Sequence, residues 1–133
     1  MTFLRFAFAK RNLILYMEIK RYDDALFYFQ KADSAGHVIH DDLGLAEIKI
    51  LMAEYFLGKK ETSKAKELCE AGLAYILKFE NVKLVPLAYV VLGRIHFEER
   101  DYAIARKYFT IALNVATRMK YIELSMQSHY YVL

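Results

Sequence analysis

The chain of 133 residues carries 19 basic and 16 acidic side chains, a formal charge of +3, and 56% of its residues are apolar. With five glycines and one proline, this is the make-up of one helix-rich domain with a real core, and it excludes a disordered chain. So balanced a charge, with the signs interspersed, argues against direct binding of nucleic acid, which calls for a clustered basic face. Cys69 is the only cysteine, so no intramolecular disulfide can form, which suits a reducing compartment.

Apolar spacing of period 3.6 runs almost throughout, and strand-like alternation is nearly absent. Seven helices are expected. The first covers about Leu4 to Ile19; its apolar residues are interrupted by Arg5, Lys10, Arg11 and Glu18, which leaves neither a signal peptide nor a membrane span. A cytoplasmic, soluble protein is the expectation. The second helix covers Tyr22 to Gly36, with Gly36 as a stop and Asp41 or Asp42 as the next cap. The third runs from Asp42 to Leu57 and stops at Gly58, where Lys59 and Lys60 meet the negative helix end. The fourth, capped by Thr62 or Ser63, reaches Phe79. The fifth spans Val82 to Glu99 with Pro86 in its first turn. Asp101 caps the sixth, which ends near Met119, and a seventh starts at Tyr121.

The second, fourth and sixth helices share a pattern at intervals of 40 residues. It reads Tyr22-x-x-Ala25-x-x-x-Phe29-x-x-Ala32, then Thr62-x-x-Ala65-x-x-x-Cys69-x-x-Gly72, then Tyr102-x-x-Ala105-x-x-x-Phe109-x-x-Ala112. A fixed period of this size marks a repeat array. Its units are helical hairpins, the first helix with the second, the third with the fourth and the fifth with the sixth. Recurring small residues would let helix backbones approach closely.

The third copy resembles the tetratricopeptide repeat. Pro86, Tyr89, Leu92, Gly93, Tyr102, Ala105, Phe109, Ala112 and Leu113 follow that signature, while His96 stands where a tyrosine is usual. The first copy departs at Asn12 and Leu13, and the second at Lys49. The usual period of that family is 34 residues, so a 40-residue unit implies longer helices. The resemblance implies an all-α, right-handed α-solenoid of three antiparallel hairpins, residues 6–40, 46–80 and 86–119, with a terminal helix over 121–133. It implies one domain over residues 1–133, either whole or a piece of a longer repeat protein.

The resemblance also implies a concave groove lined by the first helix of each hairpin. The groove positions are Lys10, Ile14 and Met17, then Ile50, Glu54 and Leu57, then Val90, Arg94 and Phe97, with Tyr130 from the last helix. Apolar residues beside single charges suit an amphipathic helix or an extended peptide. Ile14 and Glu54 argue against the family's carboxylate clamp, although Lys10 stands at one of its positions.

Other candidates have plainer readings. His37, His40, Asp41 and Asp42 have the flavour of metal ligands, but a helix end followed by a helix start explains them, and no metal is expected. His96 reads as packing, with its nitrogen satisfied locally. Cys69 reads as a small buried hydrophobe. No Gly-rich phosphate loop, nucleophile pattern or cofactor motif is present, so no enzyme and no cofactor are expected.

Phe3, Leu4, Phe6 and Phe8 at one end, and His129 to Leu133 at the other, offer no polar cap. The expected partner is a protein or peptide segment held by a scaffold or regulator, with neither membrane nor nucleic acid bound directly. One alternative is a peptide-sensing domain of a bacterial transcriptional regulator. Another is a structural module that homo-oligomerises through its uncapped ends.

Overall fold

The computed structural model describes residues 1–132, with side chains described through Lys120. Six helices follow in order: α1 (Thr2–Glu18), α2 (Tyr22–Val38), α3 (Asp42–Gly58), α4 (Thr62–Lys78), α5 (Val85–Glu98) and α6 (Tyr102–Val132). Among the described residues there is no strand. The helices joined by short turns pack in pairs, α1 on α2, α3 on α4 and α5 on α6. Successive pairs meet through α2 against α3 and α4 against α5, and α3 also touches both α1 and α5.

A recurring turn sets this architecture. Lys20, His40, Lys60, Glu80 and Arg100 all adopt positive φ, from 53° to 66°. At each, the next N–H reaches back over the turn: Arg21 donates to the Tyr16 carbonyl, Asp41 to Gly36, Glu61 to Phe56, Asn81 to Ile76 and Asp101 to His96. This is a left-handed helix stop, which satisfies carbonyls that the helix leaves orphaned. None of the five residues is glycine, so each bears the crowding of a Cβ against its carbonyl. Because the turns recur every 20 residues, α1 to α4 are each 17 residues long.

Several expected boundaries move for physical reasons. Gly36 is no stop: it is buried inside α2, which runs on to Val38, and a Cβ there would lie 2.7 Å from Leu45 Cδ2. Gly58 is the last residue of α3, but the left-handed residue that ends it is Lys60. Asp41 does cap α3, its carboxylate accepting from the Gly44 N–H at 2.9 Å. In contrast, Glu61 occupies the N-cap of α4 without a side-chain bond, in place of Thr62 or Ser63. α5 begins at Val85 rather than Val82, because Pro86 has no N–H to close a helical turn onto Val82. Looser turns fill the gap, with the Leu84 N–H on the Asn81 carbonyl and the Val85 N–H on that of Val82. The expected break near Met119 is absent, and α6 continues as one helix of 31 residues.

The recurring alanines lie where the repeat predicts. Ala25 and Ala65 are wholly buried and Ala105 is 2% exposed. Gly72 and Gly93 mark two further close contacts. A Cβ on Gly72 would stand 2.9 Å from the Ala46 carbonyl oxygen, and one on Gly93 would stand 2.6 Å from the Phe109 ring. Around these contacts one core gathers Phe6, Leu13, Ile48, Met52 and Tyr55, and a second gathers Ile50, Leu73, Ile76, Val91 and Ile95. α3 supplies residues to both, which is why it is apolar on nearly every side.

Lys60→Gly is expected to stabilise the fold by about 0.5–1 kcal/mol, the relief of left-handed crowding less the entropy of glycine, read as a higher Tm; an unchanged Tm would mean the turn holds no such strain. Gly72→Ala should destabilise by about 1–3 kcal/mol, since the obstruction is backbone, whereas Gly58→Ala, with nothing within 4 Å of its Cβ position, should be neutral or stabilising. Equal effects at the two glycines would contradict the close approach of α3 and α4.

Candidate functional site

The surface to be judged is the row formed by α1, α3 and α5, whose neighbours touch in turn. Two ion pairs cross it. Lys10 of α1 pairs with Glu47 of α3, and Arg94 of α5 lies with Nη1 3.6 Å from Oε2 of Glu54 on α3. Glu47 and Glu54, seven residues apart, share one face of α3. A third pair joins Lys60, in the turn after α3, to Glu98 on α5 at 3.8 Å. Ion pairs in contact with solvent add little stability, so the main effect of these partly exposed pairs is to fix where charge sits along the row.

The expected groove residues divide by position. Ile14, Glu54 and Arg94 are equivalents at 40-residue spacing, and all three keep surface on this face. Ile50 and Leu57 do not: both are core residues packed between α4 and α5. Their equivalents in α1, Lys10 and Met17, are half-buried, Lys10 in its pair with Glu47 and Met17 against the first core. Their equivalents in α5, Val90 and Phe97, are exposed. Those two rows are therefore seams between neighbouring helices, and the open face carries the row of Ile14, Glu54 and Arg94. Tyr130 lies outside the residues whose side chains are described.

Sequence reasoning missed part of the face. A depression of about 270 Å³ between α1 and α3 and the turn leading to α5 is lined by Lys10, Asp41, Leu43, Glu47, Lys83 and Leu84, among others. The signal for these was present in the 40-residue spacing of Leu43 from Lys83 and in the seven-residue step from Glu47 to Glu54. A second hollow lies along α1, bounded by Phe3, Phe6, Ala7, Lys10, Arg11 and Ile14, with Asp41 at its edge.

Glu54 is the most strained charge of the row. Its side chain is 28% exposed, and burial pushes its carboxyl above the ordinary value while Arg94 pulls it back. Burial raises an acid because the charged form loses water.

The remaining candidates have structural occupations. His37 Nε2 lies 3.5 Å from Asp33 Oδ1 one turn back on α2, His40 is the left-handed turn residue, and Asp41 is the cap of α3. Among the described residues no group of three His, Cys, Asp or Glu is arranged to hold a metal ion. Cys69 is fully buried, its thiol donating to the Ala88 carbonyl at 3.4 Å, and burial pushes it up to about 12, far from a reactive thiolate. His96 packs beside the Tyr108 ring at 5.4 Å. Its Nδ1, however, has no hydrogen-bond partner, with Asp101 Oδ2 3.9 Å away, so the expected local satisfaction is not met. No described helix is long and apolar enough to cross a membrane.

No family model, no curated protein and no solved structure matches the chain.

The raised carboxyl of Glu54 has a definite consequence for stability. A carboxyl raised in the folded state favours folding fully below its ordinary value of 4.5, and that contribution is lost as pH rises through the folded value. Glu54→Gln should therefore melt above the wild type at pH 7, the two converging below pH 4.5. A variant that melts lower at pH 7 would show that the pair with Arg94 outweighs burial.

Proposed function

We propose that the chain is a protein-interaction module of the tetratricopeptide-like kind, a right-handed solenoid of three hairpins whose α1, α3 and α5 face holds a partner segment. The observation that carries this reading is the composition of the open row: apolar Ile14, acidic Glu54 and basic Arg94, one from each helix, at equivalent positions. Such a row reads a ligand by alternating anchors, an apolar side chain over α1 and charges of opposite sign over α3 and α5. Glu54 adds a preference, because its carboxyl is only partly compensated by Arg94. A lysine or arginine of the partner placed over it would complete the compensation. The partner is thus an amphipathic helix or extended peptide with a basic residue beside an apolar one. Scaffold and regulator roles both follow from such a surface.

The test is capture from lysate of the native cell with the wild-type chain beside the double variant Ile14→Asp with Arg94→Glu, the variant checked for unchanged helix content and Tm. Partners held by the face should bind at least about tenfold more weakly to the variant. The same partners recovered equally with both would contradict the groove reading.

A further inference from the structure

The 40-residue equivalence allows each helix position to be compared in a covered and an uncovered setting. On one flank of the first helix of each pair stand Phe8 and Leu15, then Ile48 and Tyr55, then Ala88 and Ile95. The middle and last sets are at most 4% exposed, because α2 covers α3 and α4 covers α5. Phe8 and Leu15, over which no described helix packs in that way, are 62% and 48% exposed. The opposite flank behaves in the mirror sense. Ile50, Leu57 and Leu73 are no more than 8% exposed beneath α5, while their equivalents Val90, Phe97 and Leu113 are 38%, 54% and 66% exposed.

These are not scattered surface hydrophobics. On the α1/α2 flank Phe8 lines a groove of about 620 Å³ with Phe27, Tyr28 and Val38. On the α5/α6 flank Phe97, Tyr102, Phe109 and Leu113 line one hollow with Ala105, and the equivalents of four of these, Leu57, Ala65, Cys69 and Leu73, lie together in the core. Each flank is one half of an interface that the molecule makes twice inside itself, and the two halves are complementary in kind.

We propose that a second copy of this chain docks head to tail, its α1/α2 flank seated on the α5/α6 flank of the first, continuing the contact that α4 makes with α5. The occupant is a copy because the surface that fits one flank must carry the repeat's other flank, and this chain presents it. Such an interface is heterologous: each added copy leaves a fresh flank free, so assembly proceeds to short filaments rather than closing as a dimer. The inference rests on the repeat equivalence and is independent of the groove reading, whose variants touch neither flank.

Sedimentation velocity over about a thousandfold range of concentration tests it with Phe8→Glu on one flank and Leu113→Glu on the other, both at exposed side chains and checked by circular dichroism. The wild type should pass from the 15.6 kDa chain through twice that mass to larger species. Each variant alone should lose association at concentrations where the wild type is assembled. An equimolar mixture of the two should form a one-to-one dimer and stop there, because one intact flank of each kind remains. A wild type that stays at 15.6 kDa throughout, or a single variant that associates as strongly as the wild type, would overturn the proposal.

Discussion

A left-handed residue recurring every 20 positions is the constraint on which the rest of the structure depends. Each stop ties the N–H after it to a carbonyl five residues back, so a helix cannot drift past its allotted length. α1 to α4 are then of equal length, and positions 40 residues apart occupy equivalent places in successive pairs. Burial of Ala25, Ala65 and Ala105 follows from that register. So does the burial of α3, which is packed from both sides while α1 and α5 are each packed from one.

The energetic consequence is a molecule held by nearest-neighbour contacts. Stacked units of this sort derive stability from each unit's own packing and from the seams between units. The seam between α4 and α5 combines Ile50, Leu73 and Ile95 with the close approach of Cys69 to the Ala88 backbone. The seam between α2 and α3 uses Phe6 to fill the notch left by Gly36 and Gly44. On the row of α1, α3 and α5, Lys10, Glu47, Glu54 and Arg94 link neighbouring helices without entering the core. Surface chemistry and core packing are thereby carried by different faces of the same helices.

Much of this was legible in the residues. The three alanines gave the period, and apolar spacing gave the helices to within a few positions. What stayed hidden was the turn itself. Lys20, His40, Lys60, Glu80 and Arg100 share no side-chain chemistry, because the stop is enforced by backbone bonds and tertiary packing, not by glycine. Gly36 and Gly58 therefore drew attention as punctuation, although one is a packing glycine and the other faces open space. Pro86 was correctly expected in the first turn of α5, yet its missing N–H delays the helix to Val85. The candidate face was legible at Ile14, Glu54 and Arg94 but not at Ile50 and Leu57. On a helix apolar nearly all round, periodicity cannot tell a seam from a surface, and only burial separates them.

Residue-resolved native-state hydrogen exchange tests most directly whether helices in this chain are held by the neighbours stacked on each side. Amides of α3 between Ile48 and Ala53, covered from both directions, should exchange only with global unfolding, while those of α1 and the described part of α6 should open at lower free energy. Uniform protection across all helices, or slowest exchange in α1 or α6, would contradict helices held by the neighbours packed on each side.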